Sequence, residues 1–513
     1  MLAGMPRALP GTGQSVHSCL ENVIKCGPTR SIATTMPYPD FLPLLGALLM
    51  VSACAAAQPD PAVAKSDEGY APRSVILIIG DGMDDQQITI ARNYLKGASG
   101  QLLLDGLPLR AAAQVLAIED AVNGKPVYVA DSANTATSMA TGVVTSRARI
   151  GTAAGSDSDL TNLVDLASAA GYRTGLVTTA SITDATPAAF ASHVSFRLCE
   201  GPDSMVDITY KDVPLGGCPT DLIANGGKGS IAEQLALSPL DVILGGGRRH
   251  FKQRVEAGSE SVTDLARREG FELVTTTREM QLAGDAKRLL GLFSPGTMPV
   301  RLRGEGGRAA EKPDASMLNS LHPYLGEVTL PAPMRCEPNP DAGDVPALKA
   351  MTEAALALLA RDNERGFFLM IESASIDKQT HERKPCGAIG ELEQLEEALA
   401  SALAFAARQP RTLVIVTADH AQAAQLVPVT SLYTAYPIPI YTPGKMARVI
   451  TPEGSLMAVN YATNNFSHEE HTGANVPVFS NSEGVGRIAA YLRQPDLFRI
   501  MTDYLELHQA AKD

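Results

Sequence analysis

The sequence lacks a basic tract, and it lacks a hydrophobic run of the length that a membrane span requires. Its 43 Lys and Arg residues are outnumbered by 56 Asp and Glu residues, which gives the 513-residue chain a formal net charge of −13. Because nucleic-acid-binding proteins present clustered basic residues to phosphates, this balance argues against a nucleic-acid partner. The apolar run at residues 41–54 is shorter than the roughly 20 residues of a transmembrane helix. The chain is long enough for one large α/β domain or for two domains.

The first 57 residues are typical of an export leader rather than of a folded domain. Lys25 and Arg30 precede the apolar run, which ends in small residues as the hydrophobic region of a signal peptide does. Residues 58–72, which combine Pro, Asp and Ala, predict a flexible tether. We therefore expect an exported protein whose folded part begins near residue 73.

Cys54 ends the sequence Val-Ser-Ala-Cys at residues 51–54, which is similar to a bacterial lipobox. In that interpretation Cys54 is lipidated and anchors the protein to a membrane. The alternative is ordinary cleavage within the Ala-rich residues 53–57. Residues 1–35 are unusually long for the start of a leader, so Met36 is an alternative start. We expect a periplasmic or lipid-anchored protein in preference to one that is secreted free.

Only four of the seven cysteines lie beyond the leader. They are Cys199, Cys218, Cys336 and Cys386. An even number is consistent with two disulfides in an oxidising compartment. The sequence allows three pairings, and the simplest of them joins sequence neighbours.

Strand patterns alternate with helix patterns along the body of the chain. Runs rich in β-branched and apolar residues, typical of buried strands, lie at residues 73–79, 174–179, 242–244, 366–371 and 412–418. Helix patterns lie at residues 84–95, 347–359, 392–407 and 485–491. This alternation predicts an α/β domain over residues 73–513, with a mostly parallel central sheet and helices on both faces. Residues 245–340, rich in Gly, Pro and charge, predict a peripheral insertion.

Acidic residues follow four of these strands, and we expect them to meet at one edge of the sheet. They are Asp81, Asp184, Glu372 and Asp419. One acid after a strand is usually a turn former or a helix cap, but four favour a shared cation. A dinucleotide loop at Asp81 is excluded, because Asp85 occupies the third glycine position of the motif and Asp81 would repel a pyrophosphate.

Histidines accompany these acids. Asp377 and His381 are four residues apart, so on a helix they share a face and can chelate one ion, although such a pair is more often a surface contact. His420 directly follows a strand-end acid. His471 supplies a further imidazole, with nearby His468 as the competing candidate.

Ser132 stands where a short β-prone run gives way to small, helix-compatible residues that end at Gly142. This position predicts a serine at a helix start, where unpaired N–H groups and the helix dipole favour an anion. The alternative is that Ser132 is an ordinary N-cap.

Together these motifs resemble the bacterial branch of the alkaline phosphatase family from about Ser74 to the C-terminus. The resemblance implies that Ser132 is the nucleophile and becomes phosphorylated. It implies that Arg197 grips the phosphate, that Asp131 steadies this arginine, and that Lys378 reaches the phosphate through water. It also implies a homodimer, and it favours the disulfide pairing between sequence neighbours.

The resemblance further implies two zinc ions and one magnesium ion. The ligands would be Asp81, Asp419 and His420 for one zinc, Asp377, His381 and His471 for the other, and Asp184, Thr186 and Glu372 for magnesium. Mixed nitrogen and oxygen donors suit zinc, and an all-oxygen set suits magnesium. Gln422 stands where many bacterial members carry a second histidine. It can donate a hydrogen bond but carries no charge, which leaves zinc affinity and pH response open.

The function implied is an exported, metal-dependent phosphomonoesterase that releases inorganic phosphate through a phosphoserine intermediate. A phosphodiesterase or a sulfatase of the same superfamily is the alternative. The sulfatase motif Cys/Ser-x-Pro-x-Arg is missing, because Ala-Asn-Thr follows Ser132. A catalytically inactive phosphate- or metal-binding protein would lack at least one catalytic residue, and none is missing here.

Overall fold

The computed structural model describes residues 72–210, 212–322, 325–429 and 444–507. The predicted leader, Cys54 and nearly all of the predicted tether lie outside the described residues. Within the described ranges, none of the helices combines the length and the apolar character needed to cross a bilayer.

The central sheet contains ten strands among the described residues. They are β1 (Ser74–Gly80), β2 (Leu109–Gln114), β3 (Arg173–Ser181), β4 (Val242–Gly246), β5 (Phe271–Val274), β6 (Arg288–Leu292), β7 (Phe367–Ser373), β8 (Thr412–Ala418), β9 (Val476–Ser480) and β10 (Tyr491–Arg493). Their order across the sheet is β10-β2-β9-β8-β1-β7-β3-β4-β6-β5. All neighbouring pairs are parallel except those that β9 makes with β8 and β2. The predicted mostly parallel sheet is confirmed.

The described residues form twelve α-helices. They are α1 (Asp85–Lys96), α2 (Ser132–Thr141), α3 (Leu163–Ala169), α4 (Ala185–Ala189), α5 (Ile231–Leu237), α6 (Arg248–Phe251), α7 (Val262–Arg268), α8 (Thr277–Leu282), α9 (Leu348–Ala360), α10 (Ser375–His381), α11 (Pro385–Arg408) and α12 (Asp496–Tyr504). Helices α1, α9 and α10 pack with α11, whereas α3, α4 and α12 pack with α2. Strands β1, β7 and β8 are buried along their whole length, as their continuous apolar runs predict.

The prediction of a helix at residues 485–491 is wrong. These residues form a turn that leads into β10, and Gly486 adopts a φ of +79°. That left-handed conformation is compatible with glycine and interrupts a right-handed helix. The last helix, α12, begins after Pro495 instead. The helix predicted at residues 392–407 exists but starts earlier, at Pro385, because proline suits the first turn of a helix.

Residues 245–340, predicted as a peripheral insertion, supply the two strands at one end of the central sheet, β6 and β5. Further along, a short antiparallel pair joins Leu302–Gly304 to Cys336–Pro338. This pair adjoins α11.

Both disulfides join sequence neighbours, as the resemblance implied. Cys199 pairs with Cys218, and Cys336 pairs with Cys386. The second bridge attaches the strand Cys336–Pro338 to the first turn of α11, close in sequence to the end of α10. The first bridge closes a loop that contains the hairpin of Ile208–Tyr210 and Val213–Gly216.

Four adjacent parallel strands, β8, β1, β7 and β3, bring the predicted acids to the same edge of the sheet. Asp81 and Asp419 directly follow β1 and β8, Glu372 is the penultimate residue of β7, and Asp184 follows β3 after a short turn. Because carboxyl ends of parallel strands share one edge, residues far apart in sequence become neighbours there.

Candidate active site

Ser132 is the first residue of α2, and its side chain does not cap that helix. The cap is Asp131, whose carboxylate accepts a hydrogen bond from the Asn134 N–H at 3.1 Å. The side-chain oxygen of Asn134 in turn accepts a hydrogen bond from the Asp131 N–H at 2.9 Å. The N-cap alternative for Ser132 is therefore wrong, and its hydroxyl is left available. The buried Ser132 Oγ lies 3.1 Å from Nε2 of His420, at the positive end of the helix dipole.

A first group of possible metal ligands lies beside this hydroxyl. Nε2 of His420 is 3.4 Å from Oδ1 of Asp81 and 3.3 Å from Oδ2 of Asp419. The other oxygen of Asp419 accepts hydrogen bonds from the N–H groups of Gly82 and His420, at 2.9 and 2.8 Å. Oδ2 of Asp419 is thus directed at the His420 ring by the backbone.

Unpaired polar atoms in this group fit a cation. Oδ1 of Asp81 and Oδ2 of Asp419 are buried and have no hydrogen-bond partner among the described residues. A buried polar atom without a partner costs about 1–3 kcal/mol, and more if it is charged. Burial, followed by the charges of Asp419 and Asp377, raises the pKa of Asp81 well above its usual value. Burial lowers the pKa of His420 to about 4, which keeps the ring in the neutral form that binds metals.

A second group combines Asp377, His381 and His471. The Nε2 atoms of the two histidines are 3.0 Å apart, and they lie 3.3 and 3.4 Å from the oxygens of Asp377. Each Nδ1 contacts a backbone carbonyl, that of Ala130 at 2.9 Å for His471 and that of Glu469 for His381. Metal-binding histidines are typically oriented in this way through their second nitrogen. Burial opposes protonation of His471, but its contacts with Asp377 raise its pKa to about 9, so a cation would displace this proton.

The two groups are adjacent, because Asp377 also lies within reach of Asp81 and His420. Gln422 is fully buried and donates a hydrogen bond from Nε2 to Oδ1 of Asp377. Gln422, which stands where many bacterial members carry a histidine, therefore still donates a hydrogen bond to a carboxylate of the second group.

A third group consists of oxygen donors. Glu372 is buried and accepts hydrogen bonds from the hydroxyls of Thr178 and Thr186. Burial raises the pKa of Glu372 to about 7, although these hydroxyl bonds oppose the shift. Asp184 caps α4, and Thr186 lies within the first turn of the same helix. Carboxylate and hydroxyl oxygens are the donors that magnesium prefers.

Asp184 also binds both cationic residues of the site. Its Oδ2 is 2.6 Å from Nζ of Lys378, and its Oδ1 is 3.0 Å from Nη2 of Arg197. Burial by itself raises the pKa of Asp184, but Lys378 and Arg197 outweigh burial and hold this pKa well below its usual value. Nη1 of Arg197 lies 3.2 Å from Asp131, the contact that the resemblance implied. Ser132, Arg197, Lys378 and His471 line one cavity of about 580 Å³.

A buried ion pair between Arg383 and Glu469 was not predicted from the sequence. Nε of Arg383 is 2.7 Å from the Glu469 carboxylate, and both side chains are almost fully buried. Glu469 also exchanges backbone contacts with His381, since its N–H donates to the His381 carbonyl at 2.9 Å and its own carbonyl contacts Nδ1 of the ring. The pair therefore fixes the segment before His471 against the end of α10. No local pattern marks it, because the two residues are 86 positions apart.

Comparison with known proteins agrees with the family resemblance seen in the sequence. The alkaline phosphatase family model matches residues 72–476. The alkaline phosphatase of Escherichia fergusonii is 40% identical over 444 residues, which cover 85% of this chain and 86% of that protein. The streptomycin-6-phosphate phosphatase of Streptomyces griseus is 40% identical over 478 residues, covering 90% and 97%. A magnesium-bound variant of the TAB5 alkaline phosphatase has a similar fold, with a TM-score of 0.58, 22% identity, and coverage of 86% and 99%.

Replacing Arg383 with Met should destabilise the protein by about 3–5 kcal/mol, because it leaves the Glu469 charge buried and unpaired. Urea unfolding measures the loss. An Arg383→Met, Glu469→Leu double variant should recover much of it, since no buried charge then remains. The control is Arg267→Ala, which removes an exposed ion pair with Asp264 and should cost less than about 1 kcal/mol. Equal stability losses in the Arg383 and Arg267 variants would contradict the assignment.

Proposed function

Because this chain belongs to the alkaline phosphatase family and hydrolyses phosphate monoesters, we propose that Ser132 is the residue that becomes phosphorylated and is then hydrolysed to release inorganic phosphate. The observation that carries the proposal is the position of the Ser132 hydroxyl. It lies at a helix start, beside His420, and in the cavity that Arg197 lines. An anion at this point would meet the helix dipole and the arginine together.

The chain is metal-dependent, as its family membership and its grouped ligands indicate. For the individual ions we propose two zinc sites and one magnesium site. Zinc would be held by Asp81, Asp419 and His420 in one site and by Asp377, His381 and His471 in the other; magnesium would be held by Asp184, Thr186 and Glu372. When bound, these cations supply positive charge that favours the deprotonated serine and balances the charge of the phosphate.

Arg197 and Asp131 orient the phosphate. The planar guanidinium of Arg197 is fixed at one nitrogen by Asp131 and at the other by Asp184. The Asp131 carboxylate is itself held by hydrogen bonds from the N–H groups of Asn134 and Ala148, so the group that orients the arginine is fixed by the backbone. A guanidinium can bind two phosphate oxygens at once. Lys378, which also contacts Asp184, would act on the phosphate through water.

The proposal extends to export, because the leader and Cys54 precede the described residues. A lipobox at residues 51–54 predicts that cells fed a fatty-acid probe label the protein at Cys54, and that Cys54→Ser abolishes the label. Unlabelled protein that is freely soluble after export would support plain signal cleavage instead. Family resemblance also supports a homodimer, which sedimentation equilibrium of the same preparation would detect as a doubled mass.

Ser132→Ala should lower kcat/KM for an aryl phosphate by at least about a hundredfold, since no other nucleophile occupies its place. Wild-type protein quenched in acid with labelled phosphate should carry the label on the peptide that contains Ser132. The matched control is Ser138→Ala on the same helix, whose hydroxyl donates to the Asn134 carbonyl and should be dispensable for catalysis. Label on any other residue would refute the assignment.

Metal removal should separate the sites. A chelator should abolish activity, zinc should restore most of it, and magnesium should add to zinc. Elemental analysis should find about two zinc ions and one magnesium ion per chain. Thr186→Ala should reduce the magnesium content and leave the zinc content unchanged, because its hydroxyl belongs to the oxygen-donor group. Full recovery with magnesium alone would show that the division of ligands is wrong.

A further inference from the structure

The lining of the catalytic cavity includes three apolar or aromatic residues that the proposed mechanism does not use. Phe196, Leu198 and Tyr210 all face the cavity. A volume of about 580 Å³ lies within the range of sites that enclose a small organic molecule. The phosphoryl group would occupy the end that contains Ser132 and Arg197. The rest of the cavity therefore faces the alcohol part of a monoester.

Two of these residues are held in place by packing against the protein interior. Phe196 and Leu198 directly flank Arg197, and their inner sides pack against a small buried cluster. The cluster consists of Cys199, Met205, Ile208 and Cys218, and it contains the disulfide. Because both residues are partly buried against this cluster, little side-chain freedom is lost when a ligand contacts them.

Tyr210 lines the cavity from a position further along the chain, within the loop that the Cys199–Cys218 disulfide closes. It ends the first strand of the hairpin that pairs with Val213–Gly216, inside the segment closed by the disulfide. Half of its surface remains exposed. The stretch of chain at residues 196–210 thus supplies both Arg197 and the apolar surface beside it.

We propose that Phe196, Leu198 and Tyr210 form a subsite for the leaving group, which favours monoesters of aromatic or apolar alcohols over those of small alcohols. The inference rests on the proposed function, because it assumes that the phosphoryl group lies between Ser132 and Arg197. Apolar and aromatic surfaces gain free energy from contact with a ring that would otherwise remain in water. The selectivity resides in kcat/KM, since the contact forms before the ester bond breaks.

The test compares benzyl phosphate with methyl phosphate, whose alcohols have nearly the same acidity and so leave with similar ease. In wild-type protein kcat/KM should be about tenfold higher for benzyl phosphate. Phe196→Ala should lower the benzyl-to-methyl ratio by about three- to tenfold, the size expected for one aromatic contact. Phe196→Leu should keep most of the ratio, because an apolar surface remains.

Tyr210→Ala is a second test variant that should fold normally even if Phe196→Ala does not, because the exposed side chain of Tyr210 is not part of the buried cluster. It should also lower the ratio. The matched control is Tyr491→Ala, a similarly exposed tyrosine on the edge strand β10 that does not line the cavity, and it should leave the ratio unchanged. Inhibition by inorganic phosphate reports whether Arg197 itself has moved.

The outcomes distinguish a failure of the proposed function from a failure of the proposed subsite. Failure to hydrolyse either ester would refute the proposed function. Equal efficiency on both esters in wild type, or a ratio that neither Phe196→Ala nor Tyr210→Ala changes, would overturn the subsite alone. If Phe196→Ala weakens phosphate inhibition and the hydrolysis of both esters by the same factor, Phe196 acts by positioning Arg197; with an unchanged ratio in Tyr210→Ala, this result overturns the subsite.

Discussion

The structure depends on the balance of charge among carboxylates gathered at one edge of the central sheet. Asp81, Glu372 and Asp419 are almost fully buried, and Asp184 and Asp377 lie beside them. Such a concentration of negative charge away from water is stable only when cations or hydrogen-bond donors compensate it. Two nearby side chains, Arg197 and Lys378, supply two positive charges, both directed at Asp184. The remaining negative charge lies in the two groups that contain histidines, where metal ions would balance it.

Rigid backbone contacts explain how this charge is held in a usable arrangement. Backbone N–H groups engage one oxygen of Asp419 and leave the other directed at His420. Backbone carbonyls engage Nδ1 of His381 and His471 and leave both Nε2 atoms near Asp377. Ligands fixed in this way need little reorganisation when a cation or phosphate binds. The buried Arg383–Glu469 pair extends the same principle outward, because it secures the loop that carries His471.

The loop of residues 196–210 carries both the arginine proposed to bind phosphate and the residues proposed to contact the leaving group. The buried cluster of Cys199, Met205, Ile208 and Cys218 packs against Phe196 and Leu198, which flank Arg197 in sequence and line the same cavity. A change in this loop would therefore alter both phosphate binding and leaving-group preference, and only separate measurements of the two can distinguish these effects.

The sequence by itself determined the parts that local pattern encodes. Continuous apolar runs marked the buried strands β1, β3, β7 and β8, since a strand covered on both faces needs no polar alternation. Acids after those strands marked the functional edge, because parallel strands align their carboxyl ends. Local pattern also misled at residues 485–491, where helix-like spacing was overruled by the left-handed conformation of Gly486.

Tertiary structure alone decided the contacts between residues distant in the chain. The sequence could not show that Asp131 rather than Ser132 caps α2, nor that Asp184 engages Lys378 and Arg197 together. Asp184 and Lys378 are 194 residues apart, and such pairs depend on how whole strands and helices pack. Periodicity and propensity describe a few turns of chain at a time, whereas an ion pair or an apolar cavity wall arises only when packing brings separate elements together.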